Sequence, residues 1–213
     1  MSAGIALRFA FRDLFHNSWR LVPVNALLGV TLVAVGILAV SVHALVVLAV
    51  LAGPIATALL HCAVVVVRDE YVTLADARDG LRLHWRLGLQ LGAAGVALAT
   101  VGAVAFHFYT RFALGWPLAF LSLYLLLGLG LYVVMVATLA VGEPGRPLWL
   151  VAREAAAVGA RRPGATLQLG LVLLAVNAIG IAAGAMPFLT LTVAYSFVAV
   201  AHFVLPRQDP EGS

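Results

Sequence analysis

Charged side chains are absent from four long stretches of the 213-residue chain, and the lengths of these stretches are multiples of a membrane crossing. Residues 21–67, 87–110, 112–142 and 163–206 contain no Asp, Glu, Lys or Arg and are 47, 24, 31 and 44 residues long. A helix needs roughly 20 apolar residues to cross the hydrocarbon core, and a charge at its centre costs about 3 kcal/mol on insertion scales. The two shorter stretches therefore predict one crossing each and the two longer ones two each, which gives six.

This pattern predicts an all-α membrane protein whose whole chain forms a single integral membrane domain. The six crossings are predicted at 21–41, 44–67, 87–106, 118–140, 165–183 and 187–205. The segments between them that carry charge also carry apolar residues on a different helical face, which is typical of helices lying on a membrane surface. The first such surface helix is predicted at 5–19 and the second at 71–86. The third begins near Pro147 and ends at Pro163-Gly164.

Two local signals refine these boundaries. Gly53-Pro54 lies inside the second predicted crossing, and Pro either kinks or starts a helix because it lacks a backbone donor. Two alternatives therefore stay open: a kinked second helix, or a long first helix that ends near Gly53 and a shorter one from Pro54. Thr73 followed by Asp76 is typical of an N-cap at the start of the second surface segment.

Composition and charge placement support the membrane assignment and give it an orientation. The chain is 63% hydrophobic and 10% charged, with a mean hydropathy of +1.07, whereas soluble domains carry about 25% charged residues. All 13 basic residues are Arg, and all but Arg111 lie in the surface segments and the termini. Because basic residues accumulate on the cytoplasmic side, both termini are predicted to be cytoplasmic. The dispersed Arg favour contact with anionic lipid over nucleic acid. The absence of Lys, together with abundant Ala, Gly and Val, suggests a GC-rich bacterial genome, and the membrane is predicted to be the bacterial cytoplasmic membrane.

Polar residues and a potential kink within the apolar stretches are candidates for a solute path or for bonds between helices. These candidates are Asn25, Gly53, Pro54, Thr57, His61 and Asn177. No metal site or cofactor is predicted, because no two His have the three- or four-residue spacing that aims both rings at one ion. No Ser lies in a Gly-x-Ser-x-Gly setting, so no catalytic residue is predicted. Gly88-x-x-x-Gly92 would permit two helices to approach closely.

Short motifs give the chain a family resemblance. Gly-Pro-Ile-Ala-Thr-Ala-Leu at 53–59 and Arg-Asp-Glu at 68–70 resemble the Gly-Pro-Ala-x-x-Ala-Leu stretch and Arg-Gly-Glu turn of the YesL-like family. Arg-x-x-x-Trp-Arg at 82–86 and Arg-Pro at 162–163 resemble that family as well. It consists of small bacterial membrane proteins whose domain has no assigned biochemical function. The resemblance implies a role beside carbohydrate uptake, with ABC transporter subunits as partners.

Two functions follow as hypotheses, with an enzyme a distant third. The first is a non-enzymatic accessory protein that binds a transporter or another membrane partner. Its predicted docking surface consists of Arg78, Arg82, Arg86, Arg153 and Glu154. The alternative is a small neutral-solute permease, potentially a homo-oligomer, whose path is lined by the intramembrane polar residues.

Overall fold

The computed structural model describes residues 2–41, 49–69, 71–112, 114–183 and 187–205, and every regular element in this part of the chain is helical. The helices are α1 (Ala3–Ser41), α2 (Ala52–Asp69), α3 (Leu74–Thr110), α4 (Trp116–Gly142), α5 (Leu148–Arg161), α6 (Pro163–Ala182) and α7 (Val193–Val204). A π-helical segment, Phe188–Thr192, directly precedes α7. The predicted all-α class is confirmed for the described residues.

Five of the described helices are long and apolar enough to cross a membrane. They are the segments Ala3–Val35, Ala49–Asp69, Leu74–Thr110, Trp116–Gly142 and Pro163–Ala182. They coincide with the first five predicted crossings, except that 44–48 of the second lie outside the described residues. The sixth predicted crossing corresponds to Thr190–Val204, which is apolar but shorter.

At two places the structure has no helix break between a predicted surface helix and a predicted crossing. Surface helix 5–19 and crossing 21–41 form one continuous helix, α1, and segment 71–86 continues into crossing 87–106 as α3. The junctions read Trp-Arg-Leu at 19–21 and again at 85–87. Both helices continue past these junctions, although Pro23 in α1 lacks the N–H that would bond the Trp19 carbonyl.

One buried stripe along α1 accounts for its continuity. Its members are spaced three or four residues apart, which places them on one helical face. They are Ala3, Ala6, Ala10, Leu14, Asn17, Leu21, Asn25 and Leu28. The stripe passes through the predicted junction without interruption, and α1 packs along it against α7, the π-helical segment and α2.

The structure also shows how Pro54, Thr73 and Pro163 act at the helix ends. Pro54 lies in the first turn of α2, after a 3₁₀ turn at 49–51, so it starts a helix rather than kinking one. The N-cap of α3 is confirmed: the Thr73 N–H donates to Asp76 Oδ2 at 2.6 Å, and the Asp76 N–H donates to Thr73 Oγ1 at 3.4 Å. Pro163 begins α6 and thereby separates it from α5.

The best-packed core lies at one end of the bundle, which we call the charged end because it holds Asp13, Arg68 and His202. Val198 and Ala201 of α7 and Leu59 of α2 are fully buried there. Three long-range polar contacts join the elements at this end: Asp13 Oδ2 with His202 Nε2 at 2.8 Å, Arg68 with the Gly142 carbonyl at 2.6 Å, and the Val72 N–H with Asn17 Oδ1 at 3.4 Å.

Away from the charged end, large apolar side chains point outward. In the most apolar window of α3 no residue is buried. Leu114 is 92% exposed and Leu125 of α4 is 65% exposed. Soluble proteins rarely expose contiguous apolar surface of this kind, so these faces fit a lipid solvent.

Candidate functional site

The closest helix contact in the candidate region is between α2 and α3, and glycines make it possible. A Cβ added to Gly88 would lie 2.5 Å from the Pro54 Cα, and one added to Gly53 would lie 2.8 Å from the Gly92 nitrogen. Only glycine permits backbones to approach this closely. The close approach predicted from Gly88-x-x-x-Gly92 is therefore confirmed, and its partner is the Gly53-Pro54 turn.

The Thr57 hydroxyl is used within its own helix. It donates to the carbonyls of Gly53 at 3.2 Å and Pro54 at 2.9 Å, and Thr57 is 1% exposed. The residue borders a cleft of about 470 Å³ among α1, α2, α3, α4 and α7, whose other lining residues are apolar or glycine. Thr57 therefore borders this cleft with a methyl group and with a hydroxyl that is already hydrogen-bonded within α2.

Asn25 and Asn177 both hold the irregular start of α7. The Ala194 N–H donates to Asn25 Oδ1 at 2.7 Å. Asn177 donates to Ser196 Oγ at 2.7 Å and accepts from Thr192 Oγ1 at 3.0 Å. A π-helical turn disturbs the regular backbone hydrogen bonding, and the two amides bind the chain where this turn passes into α7.

The structure does not bring Thr57 and Asn177 together. Asn177 and Ser196 line a second cleft, of about 620 Å³, between α4, α6 and α7. Val134 and Phe197 border both clefts. The two polar positions therefore face different clefts, and the side chains of Val134 and Phe197 stand between them.

His61 belongs to a pair that sequence spacing could not reveal. Its ring lies beside that of His84 on α3, with the ring centroids 5.3 Å apart. His61 Nδ1 and His84 Nε2 are both buried without a hydrogen-bond partner among the described residues. Within a single helix, spacing shows which residues share a face, but these two rings meet across a helix–helix interface.

The predicted docking surface is split into two patches. Arg78, Arg82 and Arg86 are exposed along one face of α3, one turn apart, and form no ion pair with any described residue. We call them the arginine ridge. The Arg86 guanidinium lies over the Trp85 ring at 5.3 Å. Helices α3 and α5 each pack against α4 and make no substantial contact with each other in the described part of the chain.

The second patch, on α5, is partly neutralised within the chain. Arg153 is exposed, but Glu154 pairs with Arg146 at 2.9 Å. Arg146 also donates to Glu143. These hydrogen bonds to Glu143 and Glu154 raise the pKa of the Arg146 guanidinium. Since Glu154 already has a cation, the arginine ridge is the stronger candidate for external contact.

These features describe an all-helical protein with several helices able to cross a membrane, two apolar clefts and a cationic face on α3. No family model, no curated protein and no solved structure matches the chain.

Proposed function

We propose that the chain is a non-enzymatic membrane protein that acts by binding another membrane protein. It crosses a bacterial cytoplasmic membrane six times, with the charged end and both termini in the cytoplasm. The outward-facing apolar side chains of α3 and α4 support insertion in a membrane. The collection of charged residues at one end of the bundle supports the orientation, because basic residues accumulate on the cytoplasmic side.

The sixth crossing consists of the π-helical segment and α7. Five residues of the former and twelve of the latter give about 25 Å at 1.5 Å per residue, slightly less than a hydrocarbon core of about 30 Å. No charged residue lies between 163 and 206, and α7 is buried among α1, α2 and α4. A short central helix suits this position because its neighbours, rather than lipid, surround it.

The arginine ridge is the observation that carries the proposed activity. Helix α3 has 37 residues and is about 55 Å long, so about 25 Å of it extends past the hydrocarbon core. The ridge lies on the first turns of α3 and hence on this protruding part. Guanidinium groups bind carboxylates through planar paired donors. The partner we expect is therefore an acidic surface on a membrane protein, and the family resemblance favours ABC transporter subunits.

Replacing the ridge tests this function. The full-length chain is purified in mild detergent with its bound proteins, as wild type and with Arg78→Gln, Arg82→Gln and Arg86→Gln combined. Loss of three guanidiniums removes the paired donors, so the ridge variant should lose the membrane protein that accompanies the wild type. Mass spectrometry identifies and quantifies that protein.

A control variant with the same net charge shows whether the position of the arginines matters or only their number. Arg8→Gln, Arg111→Gln and Arg161→Gln combined also remove three exposed arginines and should leave the partner bound. Recovery of the wild-type chain alone, under conditions that keep other complexes intact, would refute the proposal. If only a second copy of the chain is recovered, the protein forms a homo-oligomer and the proposed binding of a different membrane protein is wrong.

A further inference from the structure

His61 and His84 form a pair between α2 and α3. Unlike the other candidate polar side chains of the apolar helices, they have buried hydrogen-bonding atoms without a partner among the described residues. Asn25, Thr57 and Asn177 all have hydrogen-bond partners. The two imidazoles each keep one buried nitrogen without a partner among the described residues, and His84 is 6% exposed. A buried polar atom without a partner is costly, so a ligand that satisfies both nitrogens would stabilise this interface.

Gly80 makes room for the pair. A Cβ at Gly80 would lie 2.7 Å from the His61 Cβ and 2.9 Å from its Cγ, so a larger residue would push the His61 ring away from α3. His84 lies one turn further along the same face of α3. The interface is therefore shaped to admit the His61 ring beside His84.

We propose that His61 and His84 bind one Cu(I) ion between α2 and α3. Imidazole nitrogen is a ligand for copper, and metal–imidazole bonds of about 2 Å place two ligating nitrogens about 4 Å apart. The ring centroids are 5.3 Å apart, about 1 Å closer than a linear arrangement with such bonds requires, so the two rings must separate slightly to admit the ion. The ligating atoms are His61 Nδ1 and His84 Nε2, the two nitrogens without partners.

Ligand number and charge favour a monovalent ion. No group of three or more His, Cys, Asp or Glu among the described residues could hold a metal, so a four-ligand zinc site is not supported by the chain. A d¹⁰ monovalent ion accepts two nitrogen ligands, and burying one positive charge costs far less than burying two. Asp76, Asp79 and Arg68 all lie near enough to His61 to interact with it electrostatically; the two carboxylates favour a bound cation and the guanidinium opposes it. His61 is partly exposed, which gives the ion a route into the interface.

Metal competition on the purified full-length protein tests this site. Cu(I) is titrated anaerobically against a coloured Cu(I) chelator, and the wild type should take up one equivalent. His61→Leu and His84→Leu should each weaken binding by at least about 100-fold, more than the loss of an outer-shell partner does. His107→Leu removes an exposed imidazole at the other end of α3 and should bind as the wild type does.

A second variant separates lost ligation from lost packing. Thioethers are good Cu(I) ligands, so His84→Met should retain Cu(I) whereas His84→Leu loses it, although both place an apolar side chain in the interface. Undiminished Cu(I) uptake by His84→Leu, no uptake by the wild type, or tighter binding of Zn²⁺ than of Cu(I) would each overturn the proposal. The arginine ridge variant keeps this site, so failure here is distinguishable from failure of the proposed function.

Discussion

At the scale of single residues, the polar side chains Asn25 and Asn177 form hydrogen bonds at the irregular start of α7. Asn25 accepts from Ala194 where the π-helical segment meets α7, and Asn177 binds the hydroxyls of Thr192 and Ser196. A polar group in an apolar environment is costly unless it is bonded. The amides thus make it possible for the chain to hold a π-helical turn within its interior.

Asn25→Leu should destabilise the protein measurably. The substitution leaves the buried Ala194 N–H without its acceptor, and an unsatisfied buried donor costs about 1–3 kcal/mol. We expect the free energy of unfolding in detergent to fall by about 2 kcal/mol. Unfolding is measured by circular dichroism as a function of denaturant concentration.

Thr31→Val is the matched control on the same helix. The Thr31 hydroxyl donates to the Leu27 carbonyl of its own helix at 2.8 Å, so its loss should change the stability by about 0.5 kcal/mol or less. An Asn25→Leu variant as stable as Thr31→Val would contradict the role assigned to Asn25.

At the scale of helices, the sequence predicted best those features that depend on the placement of charge and on the length of apolar stretches. Five long apolar helices and the cap at Thr73 were predictable, because hydrocarbon excludes charge and a capping box is a local interaction. The continuity of α1 and α3 was missed, because amphipathic composition does not show whether a helix turns at the membrane surface. Pro23 and Gly88 lie next to the two junctions, so the local sequence carries no clear signal of continuity.

The candidate site was predictable only in part. Asn25, Gly53, Pro54, Thr57, His61 and Asn177 could be selected as unusual residues, but their partners come from other helices and depend on packing. His84 was overlooked since it lies in a charged segment and far from His61 in sequence. The solute path through Thr57 and Asn177 stays a prediction, and both groups are already bonded within the chain.

Gly88→Ala should loosen the pairing of α2 and α3. Its Cβ would meet the backbone of Pro54, and overpacking of this kind costs about 1–3 kcal/mol. The unfolding free energy should fall accordingly, measured as for Asn25→Leu.

Gly95→Ala provides the comparison on the same helix. A Cβ at Gly95 meets nothing within 4 Å, and replacing glycine with alanine in a helix stabilises it by up to about 1 kcal/mol. Equal effects of the two substitutions would show that the glycine contact between α2 and α3 contributes little.

At the scale of the whole molecule, charge and packing coincide at one end. The segments that carry most of the Arg are also those that meet through Asp13, Arg68 and His202. The proposed orientation therefore places the best-packed part of the bundle next to the cytoplasm and leaves the opposite half surrounded mainly by lipid.

This orientation can be measured with single cysteines in a Cys62→Ala background, since Cys62 is the one native cysteine and is buried. Leu114→Cys, at the 92% exposed turn between α3 and α4, should react with a membrane-impermeant maleimide in intact cells. Arg161→Cys, at the charged end, should react only after lysis. Labelling of Arg161→Cys in intact cells would show that the topology is the reverse of the proposed one. A fluorescent protein fused after Ser213 that does not fluoresce would show the same.

The bond from Ala194 to Asn25 spans 169 residues of sequence, and this has a consequence for biosynthesis. At 5–20 residues per second, a ribosome needs roughly 10–30 s to make the intervening chain. For much of that interval the first helix is complete while the backbone donor that its amide accepts does not yet exist. Assembly of the first and last helices must therefore be post-insertional, and a nascent chain halted before the last helix should retain an unfinished, protease-sensitive first helix.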